Sequence, residues 1–354
     1  MIATDMALRP SRAEWTYPAW TWKQPGDAGS LQRQDRRSTP PAFGEVWVAN
    51  RAIGLNPVDW KVIQAGHPEW SPGHVPGVDG VGHIVAVGPG VVLPLGMRVA
   101  YHQHLARDGS FAHYTRLRAD SLLPVPDGIS DVQAAALPCP ALTAWQALHK
   151  VPASNDRDVL ITGAGGAVGR VLVQLAAECG WRVWAAAATG HHQALLAHGA
   201  AGVFDHHDSR WTQALDDVLG PRRLHAVFDT VSGEHAGLLA QRLGYNGHLV
   251  CIQDRQEQAP LPAFTRAISL HEVALNSIHA HATEREWRDW RVAGSALFAR
   301  LLRGGLSLGE APRLLSFEDV PQALAALHSG RMKGKAVALL PTPVPQNNEP
   351  VSQG

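Results

Sequence analysis

The chain has 354 residues, 45% of them hydrophobic and 18% charged, which excludes a disordered polymer and is long enough for two cores rather than one. Its 31 Lys and Arg balance its 31 Asp and Glu, so no overall field draws it to nucleic acid or to an anionic membrane. Three cysteines, Cys139, Cys179 and Cys251, form no CxxC pair, which argues against a disulfide framework and suits a reducing compartment.

The segment MIATDMALRPSRAEW lacks the apolar core of a signal peptide, and no apolar run approaches a membrane span. The expected location is cytoplasmic. Residues 15 to about 138 are rich in Gly, Pro and β-formers. Strands are expected at Glu45–Ile53, Gly82–Val87, Met97–Tyr101 and Phe111–Leu117, broken by Pro-Gly turns, as in a compact barrel-like β domain. A short helix is expected at Asp131–Leu137 behind Ser130 or Asp131, interrupted by Pro138 and Pro140, with helical pattern resuming at Thr143–Lys150.

From Asp158 onward strand and helix alternate. Strands are expected at Val159–Thr162, Arg182–Ala187, Gly202–Asp205, Ala226–Asp229 and His248–Ile252, predicting a parallel sheet covered by helices on both faces. The first helix carries Val168, Val171, Leu172 and Leu175 at i, i+3, i+4, i+7 spacing and ends near Gly180. A long helix is expected over Glu284–Arg303 behind a Thr283/Glu286 capping box, then a helix over Phe317–His328 and a strand over Ala336–Leu340. The Pro-rich tail 341–354 reads as disordered.

The strongest chemical signal is Val159-Leu160-Ile161-Thr162-Gly163-Ala164-Gly165-Gly166-Ala167-Val168-Gly169. The spacing Ala164-x-Gly166-x-x-Gly169 is the dinucleotide fingerprint with Ala at its first position. The first small residue permits the tight turn, Gly166 lets backbone approach a pyrophosphate, and Gly169 lets the helix pack close to the strand. The helix N-terminus then offers free N–H groups to phosphate. Cofactor contacts are therefore expected at Gly163, Ala164, Gly165, Gly166, Ala167, Val168 and Gly169. The second strand runs into Ala187-Ala188-Thr189-Gly190-His191-His192 with no acid to bind a ribose 2′-hydroxyl, which favours NADPH over NADH, with Thr189, His191 and His192 as donors to the 2′-phosphate. His206 and Ile252, just beyond later strands, complete the expected cofactor contacts.

The chain resembles the medium-chain dehydrogenase/reductase superfamily on its zinc-independent quinone-oxidoreductase side. The resemblance rests on Asn56-Pro57-Val58-Asp59, Pro76-Gly77-Val78-Asp79-Gly80-Val81-Gly82, Gly109-Ser110-Phe111-Ala112-His113-Tyr114, Ala134-Ala135-Ala136-Leu137-Pro138 through Leu142-Thr143-Ala144-Trp145, and Gly334-Lys335-Ala336-Val337. It implies an α/β protein in which a Rossmann doubly wound parallel sheet is inserted in a GroES-like β-rich catalytic domain. The expected division is 1–139 for the first part of the catalytic domain, 140–282 for the Rossmann domain and 283–340 for the return. Substrate and nicotinamide would meet in the cleft between domains of a homodimer.

The positions matching the superfamily's catalytic zinc ligands are Asn56, Val78 and Cys139. Val78 cannot ligate and Asn56 is a poor neutral ligand, so no zinc site is expected. His102 and His104 read as polar strand surface. Without a Lewis acid, hydride addition to a quinone or α,β-unsaturated carbonyl is the easier chemistry, because the acceptor spreads the incoming charge onto oxygen. Asn56, Asp59 and Thr143 are the catalytic candidates. Asn56 would donate its amide to substrate or cofactor, Asp59 would anchor a water or the nicotinamide ribose, and Thr143 matches the superfamily's threonine on the nicotinamide side. For Asn56 and Asp59 a purely structural role, as turn starter and helix cap, stands equal to the functional one. Trp60 either lines the pocket or packs in the core. Two other functions stay open: a zinc-type alcohol dehydrogenase, which bound zinc would reveal, and a non-catalytic NADPH-binding protein, which would bind without turnover.

Overall fold

A computed structural model describes residues 14–231 and 233–341; the expected disordered tail lies outside them except for Pro341. They form two compact units, residues 14–124 with 314–341 and residues 125–313. Among the described residues no helix is long and apolar enough to cross a membrane.

The first unit begins with an antiparallel pair, β1 (Thr16–Thr21) and β2 (Gln32–Arg37). The long, almost wholly buried β3 (Glu45–Leu55) leads into α1 (Pro57–Ala65), whose first residue is a proline that needs no N–H partner there. Then come β4 (Asp79–Val87), β5 (Arg98–His102), β6 (Tyr114–Arg118) and β7 (Leu123–Pro124). β3 pairs antiparallel with both β4 and β6, and β4 with β5. One apolar cluster gathers Ile53, Ile63, Phe111 and Phe317; another holds Val48, Ile84, Tyr101 and Leu117.

The second unit opens with α2 (Asp131–Ala136), capped by the Ser130 hydroxyl accepting the Gln133 N–H, and α3 (Pro138–Leu148). α2 stops just before Pro138, as expected, but helix resumes at Pro138 rather than at Thr143, and α3 includes both Pro138 and Pro140. They occupy its first turn, where backbone N–H groups have no intrahelical acceptor to lose. Alternation follows: β8 (Asp158–Ile161), α4 (Ala167–Glu178), β9 (Arg182–Ala187), α5 (His192–Ala197), β10 (Ala200–Asp205), α6 (Trp211–Leu219), β11 (Leu224–Asp229), α7 (Glu234–Ala240), β12 (Leu243–Cys251) and β13 (Ser269–Glu272). All six strands are parallel, in the order β10-β9-β8-β11-β12-β13. That is the 3-2-1-4-5-6 order of the doubly wound nucleotide fold, whose ligands lie at the carboxyl ends of the strands.

After a short α8 (Ile278–His281), α9 (Glu284–Leu302) starts at Thr283, whose N–H donates to Glu286 Oε2 at 2.9 Å. The chain returns to the first unit through β14 (Arg313–Ser316), α10 (Val320–His328) and β15 (Ala336–Leu339), which pairs antiparallel with β3. The units change at 125 and 314 rather than at 140 and 283. The reason is packing: α3 lies against α4 and α9, so both flanking helices share the core of the parallel-sheet unit. Trp290, on α9, is fully buried. Trp290→Ala is expected to lower the stability of this unit by about 3–5 kcal/mol, read as a shift of its urea unfolding midpoint with little change in slope.

Candidate active site

The Gly-rich segment forms a tight turn between β8 and α4. Gly163 has φ +56°, a left-handed conformation, and a side chain there would press on Thr230 Oγ1. Gly166 caps α4 with its N–H donated to Gly163 O at 2.9 Å. The two remaining key glycines differ in a way that assigns their roles. A Cβ on Gly169 would sit 2.6 Å from Gly163 O and 2.7 Å from Ala164 Cα, so Gly169 permits the helix to touch the turn. A Cβ on Gly166 meets only Gly163 O, at 3.2 Å, within 4 Å; its outer face is open. The first-turn N–H groups at Ala167, Val168 and Gly169 lack intrahelical acceptors there, and the helix dipole adds positive potential at the same place. The cradle fits a diphosphate.

Beneath the turn lies a network the sequence did not reveal. The Thr162 hydroxyl donates to the buried Asp229 carboxylate at 2.7 Å, Thr230 N donates to Thr162 Oγ1, and the Thr230 hydroxyl donates to Thr162 O at 2.9 Å. Asp229 also meets His235 Nδ1 at 2.9 Å. The carboxyl ends of β8 and β11 are thereby locked together. Ile252, at the end of β12, is half-buried and donates its N–H to Asp229 O.

The expected 2′-phosphate donors are partly committed. The Thr189 hydroxyl donates to Asp205 Oδ2 at 2.6 Å, and His192 Nε2 lies 3.1 Å from Ala187 O. The His191 ring stands against Gly165, where an added Cβ would fall 2.2 Å from His191 Cδ2. β9 itself ends without an acid, but β10 delivers one: Asp205 accepts from Thr189 and from the backbone and imidazole of His207, and these bonds hold its carboxyl well below the usual carboxylate range. His206 is exposed, its ring 4.1 Å from that of His207. A cation absent from the 187–192 segment comes instead from α4, where Arg170 donates to Gly165 O at 3.0 Å and lies 3.4 Å from His191 Nδ1.

In the first unit Asn56 and Asp59 enter a buried polar cluster. Asn56 Nδ2 donates to Asp79 Oδ2 at 2.9 Å and to Gly54 O at 3.2 Å, while its Oδ1 accepts from Lys335 Nζ at 2.5 Å. Both amide hydrogens are used, so Asn56 has none to donate to a substrate in this arrangement. Asp59 Oδ2 accepts the Asn56 N–H at 2.7 Å and Oδ1 accepts the Val78 N–H at 3.2 Å. This is the helix-capping role, extended to pin a neighbouring loop. His102 Nδ1 lies 2.9 Å from Asp79 Oδ1. His102 is only 2% exposed, not the polar surface expected of it, because the Asp79 carboxylate satisfies it inside. Trp60 is half-buried: its ring stacks on His328 at 4.3 Å and lies against the apolar cluster. Thr143 is buried on α3 of the second unit.

Known proteins bear on this arrangement. Residues 42–127 match the alcohol dehydrogenase GroES-like domain. The trans-enoyl reductase of Aspergillus terreus is 30% identical over 219 residues, 55% of this chain and 71% of that protein. The quinone oxidoreductase of Sus scrofa is 27% identical over 312 residues, 85% of this chain and 90% of its own. The chain belongs to the medium-chain dehydrogenase/reductase superfamily, among its quinone-oxidoreductase-like members. The phthioceranic/hydroxyphthioceranic acid synthase of Mycobacterium tuberculosis is 29% identical over 278 residues, but this chain spans only 13% of its length. In fold, the chain superposes on the quinone oxidoreductase of Escherichia coli, solved in complex with NADPH, with a TM-score of 0.78, 22% identity and coverage of 92% of this chain and 100% of the other.

At the positions matching this superfamily's catalytic zinc ligands, Asn56 is saturated, Val78 is buried with its N–H donated to Asp59 and its carbonyl oxygen accepting from the Gln103 N–H, and Cys139 is a half-buried thiol on α3. Asp79, His102 and Lys335 were not singled out as site residues, although Asp79 and Lys335 stand inside superfamily motifs; only the fold brings three segments so distant in sequence together. Arg170 hides at the fourth position of an amphipathic helix, and Asp205 ends a strand other than the one where an acid is sought. Burial, with the nearby Asp79 charge, pushes the Asp59 carboxyl up to about 7, against the opposing pull of two backbone N–H donors and Lys335. The native state thus binds a proton that the unfolded chain releases near pH 4, so stability from this group is complete below about pH 4 and is lost as pH rises through about 7. Asp59→Asn, which cannot titrate, is expected to flatten unfolding free energy against pH across that window, measured by denaturant titrations at several pH values.

Proposed function

We propose that the chain is a reductase that holds NADPH on the parallel-sheet unit and passes its hydride to a quinone or an α,β-unsaturated carbonyl without a metal. The observation that carries this reading is the open outer face of Gly166 beside the crowded face of Gly169: a turn shaped to admit a diphosphate, at the end of the sheet where such folds place their ligands. The quinone oxidoreductase and trans-enoyl reductase relatives support the acceptor class.

The cofactor supplies hydride; the chain's own residues bind and orient. Backbone N–H groups at the start of α4 receive the diphosphate, with Arg170 and His191 alongside. The Thr162–Asp229–Thr230 network keeps the turn from relaxing when the ligand enters. Thr143 is the candidate contact on the nicotinamide side. Conjugation in the acceptor delocalises the charge that hydride brings, which lessens the need for a Lewis acid. With both Asn56 amide hydrogens occupied, the proton that completes the reduction comes from solvent. Asp79 and His102 are metal-capable side chains 2.9 Å apart, and Asp205, His206 and His207 hold potential ligand atoms within 4.8 Å of one another. Metal analysis of the purified protein therefore belongs in the test: NADPH oxidation with quinones and enones that survives chelation supports the proposal, and stoichiometric zinc with activity only on saturated alcohols overturns it.

Gly166→Val is expected to fold, since its added Cβ meets only Gly163 O within 4 Å, yet to weaken NADPH binding by roughly a hundredfold or more, about 2.7 kcal/mol, in a fluorescence titration. Unchanged affinity would remove the turn as the cofactor site. Asp205→Asn should shift kcat/KM toward NADPH relative to NADH by roughly several-fold, because a carboxylate beside Thr189 repels a 2′-phosphate and accepts from a 2′-hydroxyl.

A further inference from the structure

A second pocket, in the first unit, has no part in the function above. It has a volume of about 420 Å³ and is lined by the aromatic Tyr17, Trp47 and Tyr114 together with Arg36, Arg37, Arg107, Arg116 and Asp108. The size lies within the range of small-molecule sites. The pocket's four guanidinium groups meet three carboxylates, Asp108 in the lining and Glu45 and Glu14 beside it, which leaves an excess of one positive charge.

The internal contacts leave much of this donor capacity unspent. Arg36 donates to Gly73 O at 3.0 Å and to Asp108 Oδ2 at 3.3 Å. Arg116 donates to Thr39 Oγ1 at 3.2 Å and stands 3.5 Å from Glu45 Oε2, and Arg107 pairs with the same carboxylate. Arg37 meets only Glu14, at 3.8 Å. Each guanidinium carries five N–H donors in a flat fork suited to carboxylate or phosphate.

Tyr17 supplies the second, independent observation. It is 5% exposed, and its ring is gripped edge-on by Trp47 at 5.7 Å and Tyr114 at 5.6 Å. Its phenol lies in the field of Arg36, Asp108 and Arg116, all lining residues, yet has no hydrogen-bond partner among the described residues. With no such protein partner, the hydroxyl is free to bond a molecule in the pocket. His74 adds another: its Nε2 is buried without a partner, and the ring stacks on Trp70 at 4.3 Å.

We propose that this pocket binds a small organic anion, a flat ring bearing a carboxylate or phosphate, with the arginines on the charge, the Tyr17 hydroxyl donating to an oxygen of the ligand, and the half-buried Tyr114 against the ring. The site is separate from the cofactor turn, and its existence does not depend on the reductase reading. The probes are phenyl phosphate, benzoate and, as the uncharged control, benzyl alcohol, titrated calorimetrically into the full chain with and without saturating NADPH. The two anions are expected to bind with NADPH present and benzyl alcohol at least tenfold more weakly; phenyl phosphate against benzoate distinguishes phosphate from carboxylate preference. Tyr17→Phe should weaken anion binding about fivefold, and Arg116→Gln about tenfold, with NADPH affinity unchanged. Should either variant fold poorly, Arg37→Gln, at an exposed position, should still weaken binding by two- to threefold. No anion binding, or binding that NADPH abolishes or that all three variants leave intact, overturns the proposal.

Discussion

The second unit depends on one close approach: α4 laid directly on the turn that follows β8. Gly169 is the point of contact, with no room for a single extra carbon, and Gly163 supplies the left-handed residue that brings the chain round. Everything proposed for the cofactor follows from that contact. It sets where the helix begins, and hence where its unpaired N–H groups and its positive end are presented. The hydrogen bonds from Thr162 and Thr230 tie this turn to the neighbouring strand, so the same few residues define both the core of the sheet and the rim of the site.

The first unit solves a different problem. It buries Asp59, Asp79, His102 and Asn56 completely or nearly so, with Lys335 at 10% side-chain exposure. Burying charge without partners is very unfavourable. Here each group is held by at least one neighbour: Asp59 by two backbone N–H groups, Asp79 by the Asn56 amide and His102, Lys335 by the Asn56 carbonyl oxygen. The lysine reaches in from the segment just before β15, so the last strand of the chain closes a cluster begun at β3 and α1. A segment that reads in sequence as a terminal strand is also the cation of a buried network.

Legibility followed periodicity. Five of the six strands of the second unit carry apolar spacing and Gly punctuation, and their order was readable; β13, a short strand with alternate residues exposed, was not. The dinucleotide turn was readable because its chemistry lies in consecutive residues. β2, Gln-Arg-Gln-Asp-Arg-Arg, was not, because a mostly exposed polar strand has no apolar alternation to show. The break before Pro138 was readable, but the restart of helix was placed too late, at Thr143, because a proline's effect depends on whether it stands in the first turn of a helix or inside it. Roles for Asn56 and Asp59 remained balanced in sequence because capping and catalysis use the same residue types; hydrogen-bond partners from Asp79, Val78 and Lys335 decide which atoms are free.

The open face of Gly166 has an entropic consequence. A binding surface made of backbone has no rotamers to freeze when a ligand arrives, and its donors are already aimed by the helix behind them. Side chains such as Arg170 and His191 are themselves held against the loop. Little freedom remains to be lost on association at this end of the sheet, so discrimination among ligands there falls to electrostatics and shape rather than to adaptive rearrangement.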